Sequence, residues 1–493
     1  MRVRLLSALV GLGLVLPFVD KPVHIDDANF LRLAQGAASD PWRPHEVLIN
    51  WQGQTERAFD VLSNPPGIAW WLAPVAEAPV IVQHLWMLPW LLLALWGAHE
   101  LGKAVLGEGR NLGLLVATSP LVVLAGQALT PDLPLLACTL AGIGGFLNRG
   151  SGWALVAGCA VLFRYSGLCL IPLMGLIGLQ RRRPGALLVV LPLLALVAHD
   201  LHAYGEVHLL AMGSFQSVAN TPWELFRKGV AALAMLGGAG LLGLLAPRGW
   251  PGAVVGACLG LLAAWLSGQA AFGAAMTVLC AASGGALVAT LRWSSPTDRM
   301  LLAWGAGGLL FLLTLRFAAA RYQLPFMAAF ALAALRLKPP RRWIQATVAL
   351  QVLLAVGLSW DDRAFARAQQ DLAEELADVG PGSFAGHWGW QHHLEEAGWT
   401  PLEEDGQAQS VHAEAMAPWP QQPDPAQSCE LVRELSAPDT FWGPRTHSSR
   451  ANLHAYVVAG DPPVETYAPW AFSSEPYDRV RLWRCHPSPG RLE

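Results

Sequence analysis

Long apolar runs, separated by short polar stretches, occupy the first three quarters of this 493-residue chain. A helix crosses a bilayer comfortably with roughly 20 mostly apolar residues, and about thirteen runs approach this length. The pattern predicts an all-α polytopic membrane protein. The predicted spans are Val3–Val19, Ala78–Ala98, Leu112–Gln127, Asp132–Leu147, Trp153–Phe163, Tyr165–Leu179, Gly185–Ala198, Gly229–Ala246, Ala253–Ser267, Phe272–Leu291, Met300–Leu315, Tyr322–Leu337 and Trp343–Leu358.

The stretch from Trp153 to Leu179 is either one long helix or two short ones. If it forms two, one side of the membrane carries the basic residues of the alternate loops: Arg2, Arg4, Lys103, Arg110, Arg149, Arg181 to Arg183, Arg248, Arg292, Arg299, Lys338, Arg341 and Arg342. That is the distribution typical of cytoplasmic loops. The charge pattern therefore favours two helices. It predicts a cytoplasmic N-terminus, with the first loop and the C-terminal segment on the outer side of the membrane. We expect this membrane to be the inner (plasma) membrane of a bacterium and the outer side to be the periplasm.

Two polar segments stand apart from the spans. The first loop, residues 20–77, is rich in tryptophan, which favours the headgroup level, and we expect short amphipathic helices there. Residues 361–493 contain no span and predict a small α/β domain outside the membrane, after a transmembrane domain of residues 1–360. In this segment "FARAQQDLAEELADV" predicts a helix, and "LHAYVVAG" and "RVRLWRCH" predict strands. Its two cysteines, Cys429 and Cys485, either pair in an oxidising compartment or remain free thiols.

Composition agrees with a membrane location. Hydrophobic residues make up 53% of the chain and charged residues 14%, whereas soluble domains average about 25% charged residues. The net charge of −3 and the absence of a basic tract with interleaved aromatics argue against nucleic-acid binding. Because the sequence contains no CxxC or Cys/His ligand spacing, it offers no support for a structural zinc site.

An acidic pair, Asp26 and Asp27, follows the first predicted span in "VHIDDANFLRLA". A carboxylate inside the hydrocarbon costs about 2.5–3.5 kcal/mol on insertion scales, so the pair belongs at the membrane surface. Two interpretations remain open. The pair either serves a reaction at the lipid–water boundary, or it caps an interfacial helix, since Asp side chains accept free N–H groups of a first turn.

Other candidate groups lie at predicted helix ends. Four arginines have guanidinium forks that suit phosphate oxygens but also suit simple headgroup contact: Arg57, Arg164, Arg316 and Arg321. Asp132, in "TPDLP", fits a capped helix start with Thr130 as N-cap and Pro131 as first helical residue. Three histidines of the outer segment, His387, His392 and His393, are either metal ligands or surface residues of a binding loop, and their spacing matches no common metal site.

The order of these motifs resembles that of the GT-C glycosyltransferases that use polyprenyl-phosphate sugars, such as the lipid A aminoarabinose and galacturonic acid transferases and the protein O-mannosyltransferases. The resemblance covers about the first 340 residues. No single motif is specific, and the ordered set carries it. The motifs are the acidic pair with Phe30, the Pro-Pro element "NPPGIAWWLAP", "LTPDLPLL" with Asp132, "ARYQLPFMAAF" with Arg321, Tyr322 and Pro325, and "GHWGWQHHLEEAGW" in the outer segment.

The resemblance implies transfer of a sugar, with inversion, from a polyprenyl-phosphate donor to a lipid, glycan or protein acceptor. It implies catalytic roles for Asp26, Asp27 or Asp132, with Asp26 favoured for acceptor activation and Asp27 as the helix cap. The donor-phosphate candidates are Arg57, Asn64, Arg164, Arg321 and Tyr322. Many members have a lysine before the Pro-Pro motif where this chain has Asn64.

The cofactor stays open. A divalent metal ion is one option, with Asp26 as a candidate ligand. Two other functions also remain open: a lipid-linked sugar flippase or transporter, and a non-catalytic envelope assembly protein. Internal repeats or helices interrupted at the midplane are typical of transporters, and the sequence shows no repeat.

Overall fold

The computed structural model describes residues 2–51, 53–216, 221–315, 319–403, 408–417, 428–437, 442–448, 451–454 and 465–486. The molecule is mostly helical, with a small sheet near its C-terminus. Up to residue 374 the α-helices are Arg2–Val15, Asp27–Ser39, Ala58–Val61, Gly67–Leu72, Val80–Leu106, Arg110–Thr118, Pro120–Ala125, Asp132–Asn148, Trp153–Gly158, Ala160–Phe163, Leu170–Arg181, Leu191–Ala203, His208–Gln216, Pro222–Gly240, Trp250–Leu266, Ala271–Val288, Pro296–Thr314, Leu324–Arg336 and Arg341–Glu374.

Five helical segments in the described part of the chain are long and apolar enough to cross a membrane. The expectation of thirteen spans is not confirmed. Proline explains one case, because the residue before a proline avoids the helical region. The predicted span Leu112–Gln127 is divided at Ser119, which precedes Pro120, into two short helices. The five segments are Val80–Leu106, Pro184–Ala203, Pro247–Leu266, Ala271–Val288 and Arg341–Val379.

Small residues allow one of these segments, Ala271–Val288, to approach a neighbouring helix closely. Gly237, on the helix Pro222–Gly240, faces the helix Ala271–Val288. A methyl group at Gly237 would come within 2.1 Å of the Cys280 carbonyl oxygen, and one at Gly284 would come within 2.0 Å of the Leu233 oxygen. The glycine-rich run "GGAGLLGLL" therefore serves helix packing, as small residues do in membrane bundles.

The first loop folds over one end of the helical bundle. Its helix Asp27–Ser39 is amphipathic and buries Phe30, Leu31 and Leu33. A hairpin of the strands Leu48–Asn50 and Thr55–Arg57 follows. Short helices in this loop were predicted, and the structure contains them.

The C-terminal segment forms a mixed five-stranded sheet. The predicted strand Arg479–His486 is confirmed and occupies a central position, antiparallel to both of its neighbours. The predicted strand at residues 453–460 falls mostly outside the described residues. In spatial order the strands are Thr400–Pro401, Ser383–Ala385, Val411–Ala415, Arg479–His486 and Ser428–Ser436, and the shorter pairs are Gly443–Arg445 with Ala471–Ser473 and His447–Ser448 with Ala451–Asn452.

A disulfide bond joins Cys429 to Cys485, which face each other across two paired strands. This settles the alternative that the sequence left open. The helix Trp388–Glu396 lies beside the sheet and contributes the buried Trp390 to its core. The 3-10 turns of the chain are Leu16–Phe18, Pro44–Glu46, Ala73–Val75, Tyr165–Cys169, Pro184–Val190, Leu242–Leu245, Pro247–Gly249, Ala320–Gln323 and Ala377–Val379.

One helix connects the bundle to the outer segment. The helix Arg341–Glu374 continues through the predicted domain boundary at residue 360 and includes most of the predicted amphipathic helix. Beyond the boundary, Asp361 contacts the Arg445 guanidinium at 2.7 Å and accepts a hydrogen bond from the Tyr477 hydroxyl at 3.0 Å. The outer segment is therefore anchored directly to a helix that begins in the bundle.

Candidate functional site

A cavity of about 350 Å³ lies where the first loop meets the helical bundle. Ligand cavities are commonly about 300–1,000 Å³ and mostly apolar, with a few convergent polar groups, and this cavity has that character. Its polar wall contains Asp26, Asn29, Asn64, Arg164, Tyr165, Arg321 and Tyr322, and its apolar wall contains Phe30, Leu62, Leu168, Leu209, Met212, Phe311, Leu315 and Trp388.

Asp26 and Arg321 form an ion pair at this cavity. The side chain of Asp26 is 19% exposed and that of Arg321 is 11% exposed, so both border the cavity and remain largely shielded from water. Burial raises the pKa of the Asp26 carboxyl, but Arg321 outweighs it and holds the pKa below its usual value. The two groups were predicted as separate elements of the site, and the structure brings them into direct contact.

Arg164 contributes a second guanidinium. It lies at a break between Ala160–Phe163 and the turn Tyr165–Cys169, where its backbone is extended. The predicted division of the stretch from Trp153 to Leu179 therefore occurs at this residue. The guanidinium contacts Asp132 at 2.9 Å and lies 4.5 Å from the centre of the Tyr322 ring.

Both arginines retain free donors. Among the described residues, neither Nε of Arg164 nor Nε of Arg321 has a hydrogen-bond partner, although both atoms are buried. Buried polar groups are usually paired, and each exception calls for an explanation. An anionic ligand in the cavity would explain these unpaired donors, because a guanidinium fork matches phosphate or carboxylate oxygens.

Asp132 lies behind this wall. Its helix begins at Asp132 itself, with Pro131 as N-cap and no side-chain cap hydrogen bond. The interpretation of Thr130 as the cap is therefore wrong. The Asp132 carboxylate is 1% exposed and does not line the cavity. Through its contact with Arg164, Asp132 holds that guanidinium in position.

Asp27 does not cap the helix that it begins. The N-cap position is Asp26, and neither carboxylate forms a side-chain cap, so that interpretation of Asp27 is wrong. Its Oδ1 instead accepts a hydrogen bond from the Leu129 backbone N–H at 2.8 Å. Burial raises the pKa of Asp27 to about 6. Asp27 thus connects the acidic pair to the segment that precedes Asp132.

The backbone immediately before the pair is strained. Ile25 has a φ of 49° and is 3% exposed. A β-branched residue rarely adopts this left-handed conformation, and such strain persists only where the surroundings enforce it, often at functional sites. Trp388, which also lines the cavity, has a positive φ of 66°. The loop that presents Asp26 is held in place by its buried neighbours.

The remaining predicted phosphate ligands differ in placement. Asn64 and Tyr322 line the cavity. Arg57 does not: its side chain is 43% exposed and contacts Asp60 at 2.9 Å and Glu46 at 3.6 Å. The structure therefore does not bring Arg57 to this site. Arg316 lies outside the described residues.

The three candidate histidines of the outer segment are separate from the cavity. His387 packs against Trp51. His392 and His393 lie with Glu396 at a second, polar cavity of about 610 Å³ on the other side of the helix Asp27–Ser39. Burial lowers the pKa of His393 to about 3. None of the three lines the cavity that contains Asp26.

Sequence reasoning missed two kinds of residue. Trp388, from the outer segment, lines the cavity, whereas the sequence offered only the histidines of its motif as candidate site residues. Lys21, His24 and Asp362 form a buried charged cluster beside the acidic pair. Residues 21 and 362 are far apart in the sequence, so no local sequence pattern predicts that they meet.

Comparison with known proteins gives a limited result. No family model matches the chain, and no curated protein matches it. The solved structures that are similar to it include two of one protein. ArnT from Cupriavidus metallidurans bound to undecaprenyl phosphate is 16% identical with a TM-score of 0.43, over 84% of this chain and 93% of that one. The same protein in the apo state is 15% identical with a TM-score of 0.40, over 84% and 92%.

Proposed function

We propose that this chain is a membrane glycosyltransferase that uses a polyprenyl-phosphate sugar as donor and a hydroxyl group of a lipid, glycan or protein as acceptor. The observation that carries the proposal is the cavity wall on which Asp26, Arg164 and Arg321 meet. This wall combines two buried guanidinium groups, each with an unpaired Nε donor among the described residues, with the partly exposed carboxylate of Asp26. The motif order of the GT-C enzymes supports the same reaction.

The two guanidiniums suit the donor phosphate. They border one cavity, and each has an Nε donor without a partner among the described groups. A charge-assisted hydrogen bond to phosphate is roughly twice as strong as a neutral one. In many of the resembling enzymes a lysine precedes the Pro-Pro motif, and here the cavity wall carries Asn64 at that place. We assign the phosphate contact to Arg164 and Arg321, with Asn64 as a neutral donor.

The apolar wall suits the lipid part of the donor. Leu168, Leu209, Met212, Phe311 and Leu315 line the same cavity as the arginines. A polyprenyl chain placed along these side chains would bring its phosphate to the polar wall. Burial of apolar surface contributes about 25 cal/mol per Å², so the hydrocarbon contributes affinity without interacting with the reacting atoms.

The reaction is a displacement at the anomeric carbon. The acceptor oxygen forms a bond to this carbon while the bond to the phosphate oxygen breaks, and polyprenyl phosphate leaves with the electron pair. Asp26 accepts the proton of the acceptor hydroxyl. The arginines stabilise the negative charge that develops on the leaving phosphate, which is the task of a preorganised cationic site. A single displacement of this kind inverts the anomeric configuration.

The Asp26–Arg321 contact links donor binding to base strength. While Arg321 is paired with Asp26 it lowers the pKa of that carboxyl and makes it a weaker base. A donor phosphate that shares the guanidinium would weaken this effect. Asp26 would then become a stronger base when the donor is present, which limits proton transfer to the loaded enzyme.

A transfer assay with the purified full-length protein tests the proposal. Wild type should transfer sugar from a polyprenyl-phosphate donor, and Asp26→Asn should reduce the rate by about 10²–10⁴-fold, the usual loss when general-base catalysis is removed. Asp60→Asn is a matched control, because Asp60 pairs with an arginine outside the cavity, and it should retain the wild-type rate.

The rivals predict other outcomes. A flippase would move the lipid-linked sugar across vesicles without forming a glycosidic bond. An assembly protein would do neither. An Asp26→Asn variant that folds, binds donor and transfers at the wild-type rate would exclude Asp26 as the base.

We further propose that the cavity opens on the periplasmic side of a bacterial inner membrane, with the N-terminus in the cytoplasm. The alternation of basic loops supports this orientation. Alkaline phosphatase fused after Asp60 and at the C-terminus should be active in both cases. A cytoplasmic reporter signal at either fusion point would place the proposed donor site on the wrong face.

A further inference from the structure

Beside the acidic pair, three side chains from distant parts of the chain converge in the interior. His24 lies in the first loop, two residues before Asp26. Asp362 lies on the helix Arg341–Glu374, and His454 belongs to the outer segment. One ligand atom from each lies within 4.8 Å of the others. The Nε2 atoms of His24 and His454 are 3.4 Å and 2.7 Å from the Asp362 Oδ1.

His24 is the unusual member of this cluster. Its side chain is 1% exposed, yet among the described residues neither ring nitrogen has a hydrogen-bond partner. Either ring nitrogen is therefore available to a ligand. A neutral imidazole is the form that ligates metal ions.

Asp362 faces two directions. Its Oδ1 is directed to both imidazoles, while its Oδ2 accepts a hydrogen bond from the Lys21 ammonium at 2.7 Å. Carboxylates that ligate metals are commonly held by such an outer hydrogen bond, which fixes their orientation. Lys21 therefore leaves one oxygen of Asp362 available.

We propose that His24, Asp362 and His454 form a binding site for one divalent transition metal ion of the zinc class. Two imidazole nitrogens and one carboxylate oxygen are a ligand set that Zn²⁺ uses, whereas Mg²⁺ and Ca²⁺ prefer oxygen alone. Bonds of about 2.0–2.1 Å in a tetrahedron separate ligand atoms by about 3.3 Å. The 3.4 Å contact already has this length, and the 2.7 Å contact would lengthen by about half an ångström on binding.

Charge at the site is compatible with a bound cation. Lys21 is positive, but the carboxylates of Asp362 and Asp27 are both near enough to interact with it. The Oδ2 of Asp27 is buried without a partner in the described part of the chain. A divalent ion would therefore share the cluster with two carboxylates and one ammonium group.

The ion would act as a structural link. It would join the loop that presents Asp26 to the helix Arg341–Glu374 and to the outer segment, and it would lie outside the cavity in which the sugar is transferred. This role is independent of the proposed function, because a protein of any activity would gain the same connection.

A second candidate group in the described residues is weaker. His392, His393 and Glu396 also place ligand atoms within 4.8 Å of one another, but they share one nine-residue helix, and the Glu396 side chain is 66% exposed. It serves as the internal control, because it shares no residue with the buried cluster and its variants leave His24, Asp362 and His454 in place.

Metal content of the purified full-length protein in detergent is the primary measurement. After treatment with a chelator and incubation with ZnCl₂, wild type should retain about one zinc ion per chain after desalting. Zinc affinity should fall at least 10-fold in His24→Gln and in His454→Gln, because loss of even an outer-shell partner costs about 10–100-fold. The double variant His392→Gln/His393→Gln should bind like wild type.

X-ray absorption of the zinc-loaded double variant provides a second measurement. It should show two imidazoles and oxygen ligands at about 2.0–2.1 Å, and it remains informative even where a His24 variant fails to fold. The proposal is overturned by three results: no retained zinc in wild type, unchanged affinity in folded His24→Gln and His454→Gln variants, or loss of the imidazole signal in the double variant.

Discussion

Replacing Asp132 with asparagine should destabilise the protein far more than an ordinary surface change, although Asp132 does not line the cavity. The substitution removes the carboxylate that faces the Arg164 guanidinium at 2.9 Å. The two side chains are 1% and 10% exposed, so Arg164 would remain as a buried cation without its counter-ion. Removal of one partner from a buried ion pair costs about 3–5 kcal/mol.

The chain provides a matched comparison. Arg57 and Asp60 also form an ion pair at 2.9 Å, but their side chains are 43% and 40% exposed. Exposed pairs contribute about 0.2–1 kcal/mol. Asp60→Asn should therefore cost at most about 1 kcal/mol. The two substitutions remove the same group at the same distance and differ mainly in burial.

A double-mutant cycle with Arg164→Gln separates the pair from other roles of Asp132. If the contact carries the effect, the double variant should lose less stability than the sum of the single variants, by about 0.5–3 kcal/mol. Unfolding free energies in mixed micelles supply the measurement. If Asp132 interacts only with the dipole of its helix, Asp132→Asn should cost about 0.3–1 kcal/mol and the cycle should be additive. That result would refute the assignment of Asp132 as the positioning residue for Arg164.

Arg321→Lys keeps the charge but loses the planar fork, so donor affinity in a binding assay should fall, and unchanged affinity would reduce Arg321 to a charge partner of Asp26. Burial raises the pKa of Asp27 to about 6, above its usual value near 4. Between these two values the folded state binds more protons, so Asp27 makes stability fall as pH rises. Asp27→Asn should reduce, without abolishing, the slope of the melting temperature between pH 4 and 8, because burial also raises the pKa of Asp361 and Asp478 to about 6. Cys429→Ser should lower the free energy of unfolding by about 2–4 kcal/mol, and reduction of the wild type should cause the same loss. If reduction destabilised the Cys429→Ser variant equally, the loss would come from a group other than this disulfide. Gly284→Val should lower the melting temperature, because the valine side chain would clash with the Leu233 backbone oxygen. An unchanged melting temperature would contradict the close helix packing.

The sequence singled out residues of the cavity wall but did not predict their contacts. Asp26 and Arg321 belong to the ordered motifs and Arg164 falls at a predicted helix end, and all three line one cavity. Their pairing could not be predicted, since Asp26 and Arg321 are 295 positions apart and no local pattern encodes such a contact. The Arg57–Asp60 pair is the opposite case. A spacing of three residues on a chain indicates a local partner, and that partner takes Arg57 away from the phosphate role.

The span count shows a similar limit. Hydropathy identifies apolar runs but does not determine whether one run is one helix. The apolar character of residues 112–127 is continuous, yet Pro120 ends the first helix within it. At the predicted C-terminal boundary, composition likewise does not show whether the helix continues. A change in composition at residue 360 suggested a new domain, and the backbone continues there as one helix because polar residues of high helix propensity extend it.

That uninterrupted helix has a mechanical consequence. The part of Arg341–Glu374 beyond Leu358 extends about 24 Å at 1.5 Å per residue, and the contacts of Asp361 with Arg445 and Tyr477 fasten the outer segment to it. A transmembrane helix tilts to match the thickness of its bilayer. A change in tilt of 10° would displace the far end of this lever by about 4 Å, given its length. Because the outer segment supplies Trp388 to the cavity wall, we expect the width of the cavity to depend on the thickness of the surrounding lipid.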